Sequence, residues 1–137
     1  MKITKEYEGI TRKENGDYYI SGSIETDEDI EIELDDRLKV EGSIVSEKSI
    51  ISNTTIIARD NIKAGDGIEA GCGIKAGRSI CAGKYIDCGL RIFAGTSIYD
   101  SKEEAQNTIS CAEFRNGQIA YGELVITVDG GKERKEK

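Results

Sequence analysis

The sequence predicts an all-β protein, a single-domain β-solenoid in which short strands are wound into stacked coils. Three regularities carry this prediction: an aliphatic residue at every sixth position, a small residue two positions later from Ile62 onward, and a glycine directly after it. A fixed short period indicates that one small structural unit is repeated and stacked. The periodic positions are Ile32, Leu38, Ile44, Ile50, Ile56, Ile62, Ile68, Ile74, Ile80, Ile86, Ile92 and Ile98.

The period of six excludes an α-helix, which repeats every 3.6 residues and in which each interior glycine would cost about 1 kcal/mol. In an extended segment the first and third residues share a side, so Ile62 and Ala64 should both face inward. Three such sides would form a coil of about 18 residues that rises about 4.8 Å. A flatter coil with two sides is the competing geometry.

The glycine that ends each unit is expected to turn a corner of the coil. Glycine adopts backbone φ values that are closed to other residues, which suits a tight bend. These predicted corner residues are Gly65, Gly71, Gly77, Gly83, Gly89 and Gly95.

The repeat divides the chain into four predicted parts of one domain. Repeat stacks need atypical ends, so both flanking regions are expected to act as caps. The predicted parts are N-terminal strands and a cap over 1–31, the solenoid over 32–98, a short helix with a hairpin cap over 99–128, and a disordered tail over 129–137.

Two local signals predict the C-terminal cap. Ser101 and Glu104 have the spacing of a capping box and predict one short helix. The dipeptide Asn116-Gly117 between two apolar runs predicts a β-hairpin.

The consecutive units IKAGDG, IEAGCG, IKAGRS, ICAGKY, IDCGLR and IFAGTS resemble the hexapeptide-repeat β-helix group. They are more closely similar to small repeat proteins of phages and Gram-positive bacteria built on tandem Ile-x-Ala-Gly units. The resemblance covers residues 32–98, about half of the chain. In the acyltransferase branch the small residue comes four positions after the aliphatic one, whereas here it comes two positions after, so the handedness stays open.

Acidic residues are concentrated near the N-terminus. Residues 1–48 hold fourteen acids and seven bases, and residues 25–36 alone hold eight acids. Alternation of acidic and aliphatic residues there predicts a strand with one carboxylate face. The predicted partner-binding stripe consists of Asp27, Asp29, Glu31, Glu33, Asp35 and Asp36.

Three interpretations of this acidic stripe stay open. Charge on an open solenoid end can prevent end-to-end pairing. Regularly spaced carboxylates can instead imitate a nucleic-acid backbone and occupy a basic groove on a partner. Calcium binding is the third, although the segment lacks an ordered ligand loop.

A second candidate surface is apolar. Several hydrophobic residues occupy outward positions, where later units carry charges, and exposed apolar patches mark surfaces that something covers. The cover would be either the N-terminal strands or a second copy in a homo-oligomer. The residues of this predicted patch are Val45, Ile51, Ile57, Phe93 and Tyr99.

The remaining composition restricts the classes of function. The chain has no histidine, the base that hexapeptide acyltransferases use, and no phosphate-binding loop, so we expect no enzymatic activity, no cofactor and no metal. Four cysteines fit neither paired zinc motifs nor a compact disulfide framework, and we expect reduced thiols in the cytoplasm. No apolar run is long enough to span a membrane, and the first residues lack the apolar block of a signal peptide, so we expect neither membrane insertion nor export.

The sequence therefore favours a non-catalytic, acidic protein-binding module. Its expected partner is a protein with a basic nucleic-acid-binding groove, with neither nucleic acid nor a membrane bound directly. The resemblance implies a phage or mobile-element accessory protein that inhibits a host nucleic-acid-binding or defence complex. The alternative is a self-assembling, cytoskeletal-like β-helix protein.

Overall fold

A computed structural model describes residues 1–95, 107–128 and 132–135 of the chain, which form a parallel β-solenoid of about five coils. The prediction of an all-β solenoid is confirmed. This described part contains no helix, and therefore none that is long and apolar enough to cross a membrane. The short helix predicted around Ser101 and Glu104 lies outside the described residues.

The strands are short and follow one another around the coils. They are β1 (Lys2–Ile3), β2 (Ile10–Arg12), β3 (Tyr18–Ile20), β4 (Ile24–Thr26), β5 (Ile30–Ile32), β6 (Leu38–Val40), β7 (Ile44–Ser46), β8 (Ile50–Ser52), β9 (Ile56–Ala58), β10 (Ile62–Ala64), β11 (Gly67–Ala70), β12 (Ile74–Ala76), β13 (Ile80–Ala82), β14 (Tyr85–Ala94), β15 (Thr108–Cys111), β16 (Glu113–Tyr121), β17 (Glu123–Val128) and β18 (Lys132–Lys135).

The strands pair into three stacks that run along the solenoid. The first stack contains β1, β5, β8, β11 and the first part of β14. The second contains β2, β3, β6, β9, β12 and the last part of β14. β16 pairs with both parts of β14 and extends both of these stacks. The third contains β4, β7, β10, β13, β15, β17 and β18. Pairing is parallel except between β2 and β3 and between β17 and β18.

Paired positions in the central coils are 18 residues apart. Ile62 pairs with both Ile44 and Ile80, and the side chain of Thr55 accepts a hydrogen bond from Gly73, 18 residues later. The first coil is longer, with a separation of 20 residues. Its extra length lies between β5 and β6, where the chain bulges around the buried side chain of Leu34.

Because the first coil is longer, Ile32 occupies a different register position from the one that the sequence predicts. The sequence placed Ile32 first in the aliphatic series, but Ile30 is the register partner of Ile50, and Ile32 pairs with Ser52. Ile32 therefore occupies the third, small-residue position of its strand, and its six-residue spacing from Leu38 spans the bulged corner.

Isoleucines stacked on one another form the core. They are enclosed on every side by neighbouring coils, and burial of each such side chain contributes about 1.5–3 kcal/mol. Near the corners, smaller residues such as Ala64 and Ala70 are buried beside them. Fully buried members of the ladder include Ile30, Leu38, Ile44, Ile50, Ile56, Ile62, Ile68, Ile74, Ile80 and Ile86.

At four of the six predicted corner positions, Gly65, Gly71, Gly83 and Gly89, glycine is required by close approach of backbones and not by a positive φ. Of the six, only Gly95 has a positive φ, at 87°. A Cβ atom on Gly83 would lie 2.1 Å from the carbonyl oxygen of Gly65, and one on Gly65 would lie 2.1 Å from that of Glu47. At Gly65 and Gly83 the chain lies so close to the preceding coil that a Cβ atom would overlap its backbone.

Polar side chains join successive coils at the corners. The residue directly before a strand often carries an oxygen that accepts the backbone N–H of its equivalent in the next coil. Ser43 accepts from Asn61 at 3.2 Å, and Asn61 accepts from Ser79 at 3.0 Å. This ladder satisfies corner amides that the strands leave unpaired.

The hairpin predicted at Asn116-Gly117 is wrong. β16 runs through this dipeptide and pairs in parallel with β14, with register shifts near Asp87. Gly117 does adopt a positive φ of 129°, but it bends a strand that continues around the solenoid. Asn116 has no positive φ, so the dipeptide does not form the predicted turn, in which both residues would adopt positive φ values.

The end of the chain also differs from the predicted disordered tail of residues 129–137. Lys132–Lys135 form β18, which pairs in antiparallel fashion with β17. The other residues of that segment lie outside the described part.

Substitution of Gly83 by alanine tests the close approach between coils. We expect Gly83→Ala to lower the free energy of unfolding by about 3 kcal/mol or more, because the new Cβ meets backbone atoms that cannot move aside. Gly22→Ala is the matched control, since Gly22 has a φ of 81° but nothing within 4 Å of an added Cβ. There we expect about 1–2 kcal/mol. Urea denaturation measures both values, and a larger loss at Gly22 would contradict the account.

Candidate functional site

The predicted acidic stripe is divided among a strand and two corners. Glu31 is the outward middle residue of β5. Asp27 and Asp29 precede this strand, and Glu33, Asp35 and Asp36 follow it at the bulged corner. The six carboxylates therefore do not form one face of a single strand.

The N-terminal segment neutralises part of this acidic corner. Lys2 lies 3.8 Å from Glu33, and Arg12 lies 3.7 Å from Asp35 and 3.9 Å from Asp36. All of these ion pairs are exposed and each contributes little to stability. Their main consequence is that Glu33, Asp35 and Asp36 are less available to a partner.

Asp35 has a further contact with a core tyrosine. The hydroxyl of Tyr18 donates a hydrogen bond to Asp35 at 2.6 Å. This bond lowers the pKa of Asp35 below 3.8, with a smaller contribution from Arg12. It also raises the pKa of Tyr18 above 10.0.

The register of the first stack creates a different acidic arrangement. The outward middle residues of β5, β8, β11 and β14 are Glu31, Ile51, Glu69 and Asp87, in adjacent positions. We name Glu31, Glu69 and Asp87 the acidic column. Ile51 is 39% exposed and stands between the first two carboxylates.

Neighbouring side chains hold the later part of the acidic column in place. Tyr85 donates a hydrogen bond to Glu69, which raises the pKa of Tyr85. The guanidinium of Arg115 lies 3.8 Å from the centre of the Tyr85 ring. Asn116 donates to Asp87 at 3.2 Å. The carboxylates at this end are therefore oriented by hydrogen bonds.

The residues of the predicted apolar patch lie apart. Val45 is in the third stack, Ile51 in the first, and Ile57 and Phe93 in the second. Lys75 stands between Ile57 and Phe93 in the register. Tyr99 lies outside the described residues. The structure leaves Ile51 as the exposed member and joins it to the acidic column.

An open groove of about 1000 Å³ lies along the edge where the first and second stacks meet. Gly73 lies on its lining, where an added Cβ atom would be 3.2 Å from the carbonyl oxygen of Arg91 and 3.7 Å from the side chain of Thr55. The guanidinium of Arg37 at one end is bound by Asp17 at 2.9 and 3.0 Å. Its charged and aromatic lining includes Arg37, Lys75, Asp87, Arg91 and Phe93.

The four cysteines are free thiols. Cys88 and Cys111 are buried, and burial raises the pKa of both, that of Cys111 to about 11. Thiols with raised pKa values are poor nucleophiles and poor metal ligands. Among the described residues, no group of three histidine, cysteine, aspartate or glutamate side chains could hold a metal ion.

The comparisons with known proteins give no relative. No family model matches the chain, and neither curated proteins nor solved structures yield a match. The candidate surfaces are therefore argued from the residues of this chain alone.

Removal of the Tyr18 hydroxyl tests the contact between the core and the acidic corner. In Tyr18→Phe, we expect the pKa of Asp35 to rise, because its carboxylate loses a hydrogen-bond donor. The pKa of Asp35 is lowered in the folded protein, so its contribution to stability is present above pH 3.8 and is lost as the pH falls through the folded value.

NMR titration of the Asp35 carboxyl measures this shift directly. Thr11→Val is a suitable control, because Thr11 lies on the neighbouring strand and its hydroxyl contacts the carbonyl of Tyr19 rather than a carboxylate. An unchanged Asp35 titration in Tyr18→Phe would show that the hydrogen bond has no role.

Proposed function

We propose that the chain is a non-catalytic protein-binding module that docks on a basic surface of a partner through the acidic column and Ile51. The observation that carries this proposal is the position of Ile51, exposed between Glu31 and Glu69 on the outward side of the first stack. An apolar centre with a charged rim is the arrangement found in protein interfaces.

The spacing of the acidic column suits a partner that binds nucleic acid. Successive positions are about 4.8 Å apart, so Glu31 and Asp87 are separated by about 14 Å. A rigid row of carboxylates can occupy a groove whose cations ordinarily neutralise phosphates. The charges would accelerate association and select the partner, while Ile51 would supply apolar contact at the centre.

Three further features belong to the same proposal. We infer that the three stacks are the sides of one coil of about 18 residues, built from three hexapeptides, which the parallel registers support. The free thiols support a reducing, cytoplasmic location. The resemblance in sequence to the Ile-x-Ala-Gly repeat proteins favours an inhibitor that is encoded by a phage or mobile element.

The architecture of the N-terminal end disfavours the alternative of end-to-end assembly. β1 covers the edge of β5, and β2 covers the edge of β3. β4 has no further neighbour among the described strands, but it is only three residues long and presents the exposed Glu25. Short, charged edges resist pairing with another chain.

Charge reversal on the acidic column tests the proposed function. A partner captured from host lysate and then purified should bind the wild-type protein in a salt-sensitive manner, in competition with duplex DNA. We expect Glu31→Lys and Ile51→Asp each to weaken binding about tenfold or more, as at the centre of an interface. Isothermal titration calorimetry measures the change.

Glu25→Lys is the matched control, since Glu25 is the outward middle residue of β4 in the third stack. It changes the net charge by the same amount as Glu31→Lys and should reduce affinity by less than twofold, within the range of a distant surface charge. Equal losses of affinity from Glu25→Lys and Glu31→Lys would show that the effect depends only on net charge. Such a result would refute a specific docking surface.

A further inference from the structure

The outward side of the second stack has a chemistry opposite to that of the acidic column. Its register aligns two lysines with four uncharged residues, three of which are aromatic, and no acidic side chain occupies the series. From β3 to β16 the aligned residues are Tyr19, Lys39, Ile57, Lys75, Phe93 and Tyr121. In a chain with a net charge of −7, such a series concentrates positive charge on one surface.

Three cations on or beside this series are available to a ligand. Lys39, Lys75 and Arg91 are all exposed. In the part of the chain that the structure describes, none of the three forms a salt bridge. By contrast, Arg37 at the end of the groove is bound by Asp17. Cations that form no salt bridge attract anions, and Asp87, the acidic residue of the groove lining, is bound by Asn116 instead.

Aromatic rings stand next to these cations. Phe93 lines the groove, and the ammonium group of Lys75 lies 6.0 Å from the centre of its ring. Tyr121 follows Phe93 in the register and is 50% exposed. The two rings lie on adjacent strands, about 4.8 Å apart along the solenoid. They offer flat apolar faces within reach of the same ligand that the cations bind.

We infer that this groove and the adjoining outward side of the second stack bind a segment of single-stranded nucleic acid. Proteins that bind single strands without sequence preference combine a cationic groove with rings on which bases stack. The groove is open and runs along several coils, which suits a linear polymer. Amide side chains of Asn116 and Gln118 on its lining can donate to phosphate or base oxygens.

The acidic composition of the chain predicts that the protein does not bind nucleic acid directly. Net charge averages over the surface, whereas the register separates the carboxylates of the first stack from the cations of the second. Asp87 lies at the border, where Asn116 binds it. An anionic strand would therefore lie on the side of Lys75 and Arg91, away from the acidic column.

Fluorescence anisotropy with labelled oligothymidylate of about ten nucleotides tests the inference. Three cations that release counterions from a single strand predict a slope of log K against log salt of about −2. Lys75→Gln and Arg91→Gln should each reduce this slope by about 0.7. Phe93→Leu should weaken binding about tenfold with an unchanged slope, because it removes stacking but no charge.

Lys63→Gln is the matched control, because Lys63 is the exposed middle residue of β10 in the third stack. It should leave the affinity and the salt slope within error of wild type. Equal urea midpoints for all four variants would show that each remains folded, and only variants that meet this condition are compared.

Several results would overturn the inference: no binding at low salt, equal losses from Lys63→Gln and Lys75→Gln, or binding of a DNA duplex as tight as that of the single strand. Displacement of the oligonucleotide by oligoglutamate at equal charge concentration would likewise show that any polyanion binds. The proposed docking surface is tested separately, since Glu31→Lys should not weaken oligonucleotide binding and Lys75→Gln should not weaken partner binding.

Discussion

The whole structure depends on parallel pairing of each coil with the coils before and after it. Backbone hydrogen bonds hold successive coils about 4.8 Å apart, and every side chain must fit that spacing. Inside, isoleucine lies over isoleucine, as in the series Ile44, Ile62 and Ile80. At the corners, glycines admit the close approach of backbones, and hydroxyl and amide oxygens accept the N–H groups that the strands leave over. All three features of the repeat therefore follow from the fixed spacing between successive coils.

The same constraint organises the surface. Each short strand has one outward residue, whose identity the core does not restrict, and the register aligns these residues into columns along the solenoid. Small differences between repeats thereby become extended surfaces of one chemistry. The first stack aligns Glu31, Glu69 and Asp87, whereas the second aligns Lys39 and Lys75 with Phe93. A chain of strongly acidic composition can therefore carry two surfaces that attract partners of opposite charge.

The sequence predicted the solenoid and its inward residues because the repeat is local and nearly invariant from Ile62 onward. It could not predict the two extra residues of the first coil, since Ile32 keeps the six-residue spacing while its strand is displaced in register. Asn116-Gly117 gave a hairpin signal, but a positive φ also serves a strand that bends around a corner. Glu69 and Asp87 became recognisable only through the register, and aligning the sequence in rows of eighteen would have revealed them. The ion pairs of Arg12 and Lys2 depend on strands outside the repeat.

The most direct test of which strands lie side by side is the formation of a disulfide between two coils, with the native Cys81 as one partner. Lys63 is the register partner of Cys81, on the outward side of the third stack. Paired positions in adjacent strands lie within the Cα separation of about 4.4–6.8 Å that a disulfide requires. Mild oxidation of Lys63→Cys, followed by mass spectrometry of its peptides, should therefore give a bond to Cys81, whereas Glu69→Cys should give none. A bond from Glu69→Cys to Cys81, without one from Lys63→Cys, would establish a two-sided coil and contradict the structure described above.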